Sequence, residues 1–250
     1  MFDKLTTLFS TKTTNIAKDY NYFVDVHSHL IPGIDDGSRS MKESIAYIKR
    51  LKNMGFKKII TTPHIMKYHY DNTKESILKG LKALQLEVER QKIDIEIEAA
   101  SEYYLDDSFI QLIKNRDVLT FGENYLLFEL SYTLKPVMLE SAIFTMISAG
   151  YQPVLAHPER YIFMHKNFEE YKWLKRKGLL FQINLNSFSG YYSKAVQKIV
   201  NRLAEEGMVD FIGSDTHRER QLKHLEKNLS SVKIMKKLFE NNTIRNESLL

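Results

Sequence analysis

VDVHSHLIPGIDDGS, residues 24–38, sets His27 and His29 two apart at the end of an apolar run, with Asp35, Asp36 and Gly37 close behind. FVDVHSH has the composition of a β-strand. Side chains alternate faces along a strand, so His27 and His29 point the same way, with Asp25 one step deeper on that face. Pro32 and Gly33 bend the following loop back, which returns Asp36 to the same end of the strand, with Gly37 relieving the turn. A strand end that gathers imidazoles and carboxylates has the make-up of a metal site.

Outward from this stretch, short β-like runs alternate with helical segments. A helix opened by Ser40 and Glu43 as a capping box places Met41, Ile45, Ile48 and Leu51 at helical spacing and stops at Gly55. KKIITTPH is the next strand, and Asn72 with Glu75 caps the next helix. IDIEIEAASE, YLLFEL, QPVLAH, LLFQINLN and VDFIGSDTH supply further strands. Between them Pro136 suits a first helical turn, Asn167 and Glu170 open a helix, and another runs from Ser193 to Gly207. Helical sequence follows the last strand to about Glu240, and NNTIRNESLL has the look of a frayed tail. About seven β/α units in sequence predict an α/β fold of parallel strands with helices outside, a distorted TIM-like barrel one unit short of eight. The rival is an open doubly wound sheet. Its nucleotide-binding form is disfavoured, because no strand is followed by GxGxxG or GxxxxGK[ST].

Nearly every strand ends in a metal-type donor: His27 and His29, His64, Glu102, Glu129, His157, then Asp215 with His217. In a parallel barrel these ends converge on one mouth, which the Asp36 loop also reaches. Imidazole and carboxylate together suit zinc, manganese or iron. Any one such residue alone is more often a hydrogen-bonded rim residue or a helix cap; repetition at one rim turns the reading toward metal. The set exceeds the needs of one ion, so at least two are expected, with Glu102 or Glu129 as a bridge. Asp25 is expected to hold a ligand histidine by a hydrogen bond. Asp35 reads as a turn residue, and His69, His165 and His224 fall outside the pattern.

Composition narrows the chemistry. The 250 residues contain no cysteine, which excludes disulfides, thiolate metal sites and a phosphocysteine intermediate. No apolar run is long enough to span a bilayer, and a soluble, cytoplasmic protein without membrane insertion is expected. Residues 1–21 read as an arm or tail with Phe2, Leu5, Leu8 and Phe9 as a small apolar face, and residues 22–250 as one barrel domain. The net charge of +5 favours anionic partners, but the lysines are dispersed and no aromatic-basic RNA motif occurs. Nucleic acid is not expected.

HSHLIPGIDDGS, TPH, SEYY, FEL, AHPERY and GSDTH, in this order, resemble the PHP (polymerase and histidinol phosphatase) superfamily. The likeness spans roughly residues 22–225. It is closest to the bacterial manganese-dependent protein-tyrosine phosphatases of capsular and exopolysaccharide synthesis. The resemblance implies a distorted (β/α)7 barrel with a trinuclear centre. Its ligands would be His27, His29, Asp36, His64, Glu102, Glu129, His157, Asp215 and His217, the donors already picked out at the strand ends. It implies two or three Mn²⁺ ions, although the donors also accept iron, cobalt, magnesium or zinc. It implies that Arg160 holds phosphate, with Arg218 or Arg220 as a second contact out of secure register. The implied reaction is hydrolysis of phosphotyrosine by a metal-activated hydroxide, without a covalent intermediate. The implied partner is the tyrosine-rich tail of a polysaccharide-export autokinase. Tyr103 and Tyr104 are candidates to line the mouth or to pack on its rim. Alternatives on the same site are a histidinol-phosphatase-like phosphomonoesterase, a phosphodiesterase or nuclease, and a scaffold without catalysis.

Overall fold

The computed structural model describes Tyr20 and residues 23–250. The expected arm, residues 1–21, lies outside the described residues except for Tyr20, whose ring meets that of Phe239 at 5.6 Å.

Among the described residues nine strands, all paired in parallel, form the centre: β1 (Val24–Asp25), β2 (Lys58–Thr61), β3 (His64–Ile65), β4 (Glu96–Ala99), β5 (Glu102–Tyr104), β6 (Tyr125–Glu129), β7 (Gln152–Ala156), β8 (Leu180–Asn184) and β9 (Phe211–Gly213). They lie in two sheets, β1-β2-β4 and β3-β5-β6-β7-β8-β9. The result is an α/β fold around a curled parallel sheet.

The sheet splits where two expected strands are interrupted. KKIITTPH breaks at Thr62–Pro63 and IDIEIEAASE at Ala100–Ser101. Pro63 has no N–H to give to a ladder, so the strand cannot run through it. The freed groups find other partners. The Thr62 N–H and Thr61 hydroxyl donate to Ser28 O at 2.6 and 3.0 Å, and the Ser101 hydroxyl and Glu102 N–H donate to Pro63 O at 2.7 and 3.2 Å. The strand FVDVHSH is likewise short. Beyond Asp25 the ladder with β2 ends, and the chain also pairs with the segment after β9: Ser28 bridges Thr216, His29 N–H donates to Thr216 O at 3.0 Å, and Asp215 N–H donates to His27 O at 2.7 Å.

The central strands are buried on both faces. Along β7, Val154 and Ala156 face an inner cluster with Val24, Ile60, Leu127 and Phe211, whereas Leu155 faces the helices. This near-continuous apolar character is what parallel strands require.

Helices surround the sheet. α1 (Met41–Asn53) is capped by Ser40 as expected, although the Glu43 carboxylate accepts from Arg39 N–H and not from the cap. α2 (Lys74–Arg90) begins later than expected: Thr73 and Ser76 form its capping box, and the Asn72 amide instead donates to Ile34 O and His64 O at 2.8 and 2.9 Å. α3 (Asp107–Asn115) precedes α4 (Leu139–Ser148), and Pro136 sits in the turn before α4, its carbonyl accepting from Leu139 N–H. α5 (Glu169–Arg176) has no side-chain cap, because Asn167 contributes only its carbonyl. α6 (Lys194–Glu205) is capped by Ser193. The last helical stretch is two helices, α7 (Glu219–Leu229) and α8 (Val232–Asn241).

The expected frayed tail is docked. Residues Asn246–Leu249 form a 3-10 turn. The fully buried Asn246 donates to Val24 O and Ile212 O at 2.8 and 2.7 Å and accepts from Ile212 N–H at 3.0 Å. Leu249 packs into the inner cluster. A polar tail composition hides this, because one asparagine satisfies the loose edges of β1 and β9 together.

Candidate active site

All nine donors singled out at the strand ends and in the Asp36 loop come together. They form four overlapping groups whose candidate ligand atoms lie within 4.8 Å of one another: His29, Asp36, His64 and His217; His27, His29 and Asp215; His27, Glu102 and His157; His64, Glu102 and Glu129. Glu102 is central. Its Oε2 is 3.2 Å from both His27 Nε2 and His64 Nδ1, and its Oε1 is 2.9 Å from His157 Nε2. Asp215 Oδ1 lies 3.6, 3.7 and 3.3 Å from His27 Nε2, His29 Nε2 and His217 Nδ1. Asp36 Oδ1 meets His64 Nε2 and His217 Nε2 at 3.5 and 3.4 Å from the solvent side.

Two of these residues are held in the left-handed backbone region, His157 at φ 33° and Asp215 at φ 49°. Non-glycine residues adopt this conformation at a cost, and such strain collects at functional sites.

The electrostatics suit a cation. Burial pushes Glu129 well above the usual carboxylate range, and the neighbouring Glu102 adds to it. Burial acts the same way on Glu102, but His27 and His64 outweigh it and hold that carboxyl well below the usual range. Burial drives His64 and His157 down to about 4, so both imidazoles are neutral, the form that binds metal. The Nδ1 atoms of both have no hydrogen-bond partner among the described residues. His64 Nδ1 faces Glu102 and Glu129 oxygens at 3.2 and 3.4 Å without forming a hydrogen bond to either. Neutral imidazoles crowded against buried carboxylates fit divalent metal ions.

Supporting residues differ from expectation. Asp25 touches no imidazole. It accepts from Ser214 N–H and Oγ–H at 2.8 and 2.6 Å and from His27 backbone N–H at 3.4 Å, so it braces the first and last strand segments. The His27 ring is held by Gln182, with Nδ1 2.7 Å from Oε1. Asp35 is more than a turn residue: its Oδ2 takes His29 Nδ1–H at 2.7 Å.

The cluster floors a cleft of about 670 Å³ with Tyr104, Tyr132, Tyr191 and Tyr192 in its walls. Arg160 enters between Tyr132 and Tyr192, with the guanidinium carbon 4.6 and 4.4 Å from the ring centres, and donates to Asp215 Oδ2 at 3.0 Å. Arg218 lines the cleft and donates to Gly37 O at 3.3 Å. Arg220 is exposed, lies 5.6 Å from the Tyr191 ring centre and is not part of the cleft wall. Tyr104 is in the wall, whereas Tyr103 is buried, its hydroxyl accepting from Leu119 N–H and its ring stacked on Phe109. His69 is exposed, His165 Nε2 bonds Glu159 O at 2.8 Å, and His224 packs on Tyr191.

The family described as "Capsular polysaccharide synthesis, CpsB/CapC" matches residues 23–246. The chain belongs to the CpsB/CapC family. CapC of Staphylococcus aureus is 28% identical over 218 residues, covering 87% of this chain and 86% of CapC. The tyrosine-protein phosphatase YwqE of Bacillus subtilis is 27% identical over 195 residues, covering 78% of this chain and 77% of YwqE. A solved structure reported with YwqE and Streptococcus pneumoniae CpsB, described there as unique metal-dependent tyrosine phosphatases, superposes with a TM-score of 0.75 at 26% identity. It covers 88% of this chain and 96% of that one.

In this CpsB/CapC chain the residues that sequence reasoning missed are those that hold the donors: Asp35, Gln182, Asn184 and the tyrosines beside Arg160. LLFQINLN carries alternate amides on one face of a strand that offers no donor of its own, and that was the available signal. Tyr132 and Tyr192 gave none, since loop tyrosines have no periodicity.

Proposed function

We propose that this CpsB/CapC chain is a metal-dependent protein-tyrosine phosphatase, acting on the tyrosine-rich tail of a polysaccharide-export autokinase. One observation carries the reading: a largely buried cluster of five imidazoles and four carboxylates, with Asp36 on its solvent side, lies at the floor of a tyrosine-walled cleft beside Arg160. The names of the relatives support the same activity. The resemblance favours two or three Mn²⁺ ions. The four donor groups share His27, His29, His64 and Glu102, which suits adjacent ions with common ligands.

A bound divalent ion supplies hydroxide near neutral pH and offsets the charge of the phosphate. The chain's own residues do the rest. Arg160 offers a planar fork to the phosphate oxygens, and the flanking aromatic rings restrict it to one orientation. Arg218, which donates to the Gly37 carbonyl and lines the cleft, would add a second positive charge. The phenol of tyrosine, with a pKa of about 10, departs without strong acid assistance. The tyrosine walls suit an aromatic substrate, and the net charge of +5 suits a phosphorylated tail.

We read the two sheets as one distorted (β/α)7 barrel spanning residues 22–250 as a single domain. Counting β2 with β3 and β4 with β5 as interrupted strands gives seven positions, and the Ser28–Thr216 bridge joins the first to the last. Among the described residues no helix is long and apolar enough to cross a membrane, which fits an enzyme working in the cytoplasm.

The test uses metal-stripped protein reloaded with Mn²⁺ and compares a phosphotyrosyl peptide, histidinol phosphate and a phosphodiester, with His157→Ala and Arg160→Ala alongside. A metal-dependent preference for the peptide, lost in both variants, is expected. Preference for another substrate would replace the substrate class, and no turnover with any metal would overturn the enzyme reading.

A further inference from the structure

Among the described residues β8 is the one strand position without a metal-type donor, yet it touches the cluster at two points. Gln182 and Asn184 are both fully buried and sit on the same face. Gln182 Nε2 donates to Ile183 O at 2.8 Å and to Asn184 Oδ1 at 3.0 Å. Asn184 Nδ2 donates to Asp215 Oδ2 at 2.6 Å and to the Tyr192 hydroxyl at 3.1 Å, and that hydroxyl lies 3.2 Å from Asp215 Oδ2.

These contacts fix the direction of every link. The Ile183 carbonyl can only accept, so the end of the Gln182 amide beside it is the NH₂. Its oxygen therefore faces His27, and His27 Nδ1 must carry the proton. Nε2 is then the ring nitrogen that faces the cluster, 3.2 Å from Glu102 Oε2, and the one available as a ligand once it carries no proton. Likewise Asp215 Oδ2 can only accept, so Asn184 presents its NH₂ there and its oxygen to Gln182. Arg160, Asn184 and Tyr192 together occupy Oδ2, and Oδ1 is left to face His27, His29 and His217. Only glycine fits at 213 beside this amide: a Cβ there would lie 2.7 Å from Gln182 Nε2 and 2.6 Å from His27 Cβ.

We propose that Gln182 and Asn184 form one directional hydrogen-bond chain that sets the His27 tautomer and the Asp215 orientation together, as positioning residues for the metal centre. The inference rests on the metal-centre reading above. A ligand histidine whose remote nitrogen loses its partner binds metal roughly 10–100-fold more weakly. If the two amides act as one chain, breaking it at either link costs the same capability, and breaking both costs little more.

Stripped full-length protein is titrated with Zn²⁺ against a chromophoric chelator for the wild type, Gln182→Met, Asn184→Leu and the double variant. Melting of each stripped protein is recorded as the check on folding. Each single change is expected to weaken Zn²⁺ binding about 10–100-fold, with the double variant within about twofold of the weaker single variant. If the two losses multiply in the double variant, or if neither single variant binds more weakly than the wild type, the chain is overturned. Where Asn184→Leu does not fold, Asn184→Ser takes its place, with the same expectation. A wild type that takes up no ion would overturn the metal-centre reading and this inference together, whereas a wild type that binds beside unaffected variants would overturn the chain alone.

Discussion

Asp35 Oδ2 accepts both the His29 Nδ1–H at 2.7 Å and the His64 backbone N–H at 3.1 Å, so one carboxylate fixes two residues of the donor cluster. Its other oxygen accepts Gly37 N–H at 2.9 Å, which holds the loop that carries Asp36. Asp35→Asn keeps the shape but weakens the acceptor that His29 leans on. Metal affinity is expected to fall about 10–100-fold, as is usual when a ligand histidine loses its carboxylate partner. Chelator competition on the full chain measures it, and unchanged affinity would remove Asp35 from the site.

Arg160 is bracketed by two rings and tied to Asp215. Arg160→Lys keeps the charge and loses the planar fork. kcat/KM on a phosphotyrosyl peptide is expected to drop by about 10²–10³, the usual cost of removing one donor to a developing oxyanion. Metal content, read by atomic emission on the same samples, is expected to stay at the wild-type level. A parallel loss of metal would instead make Arg160 a support for Asp215.

Glu159 is a buried carboxyl whose Oε1 accepts from Asn184 N–H and the Ser187 hydroxyl, while Oε2 has no partner among the described residues. Burial pushes it up to about 7 from 4.5. The folded state therefore holds this proton over a pH range in which the unfolded chain has lost it. Stability from this group is full below about pH 4.5 and falls as pH rises toward 7, by on the order of 3 kcal/mol in total. Urea denaturation of stripped Glu159→Gln is expected to show a flatter profile between pH 5 and 8 than the wild type. Parallel profiles would mean that the carboxyl titrates normally.

Removing the ions leaves buried carboxylates facing one another, Glu102 and Glu129 above all. Mn²⁺ at about 100 times its dissociation constant is expected to stabilise the fold by about 2.7 kcal/mol if it binds only the native state. Thermal melts with and without EDTA read the shift, and coincident melts would argue against a metal centre.

The side chain of Asn246 makes three buried hydrogen bonds to the backbone of Val24 and Ile212. Asn246→Ala strands those groups and is expected to cost on the order of 3 kcal/mol. Denaturant midpoints at an unchanged slope would show it, whereas a loss under 1 kcal/mol would mean that water takes over the contacts.

Much of this was legible in the residue order. The β/α alternation and the gathering of the nine candidate donors follow from strand composition, strand-end chemistry and the returning Asp36 loop, because a parallel sheet brings its C-terminal ends together. What was hidden lay across the fold. The breaks at Pro63 and Ser101 depend on carbonyls belonging to other segments. The shift of the α2 cap from Asn72 to Thr73 follows from Asn72 being drawn to Ile34 and His64. Tyr103 reads like Tyr104 in sequence, yet strand alternation sends one into the core and the other to the cleft. Asp35 and Asp36 are neighbours of identical chemistry, and only the loop's path separates the bracing carboxylate from the donor.

The bridge between Ser28 and Thr216 joins the beginning of the fold to a segment made almost two hundred residues later. His27 and His29 therefore wait through most of synthesis for Asp215 and His217, and the latch at Asn246 comes later still. A growing chain has the members of the groups His27, Glu102, His157 and His64, Glu102, Glu129 before its last strand is made, but both groups that use His29 need Asp215 or His217. Completion of the donor set is thus a late event in the birth of each molecule, and it marks a chain whose first and last strands have met.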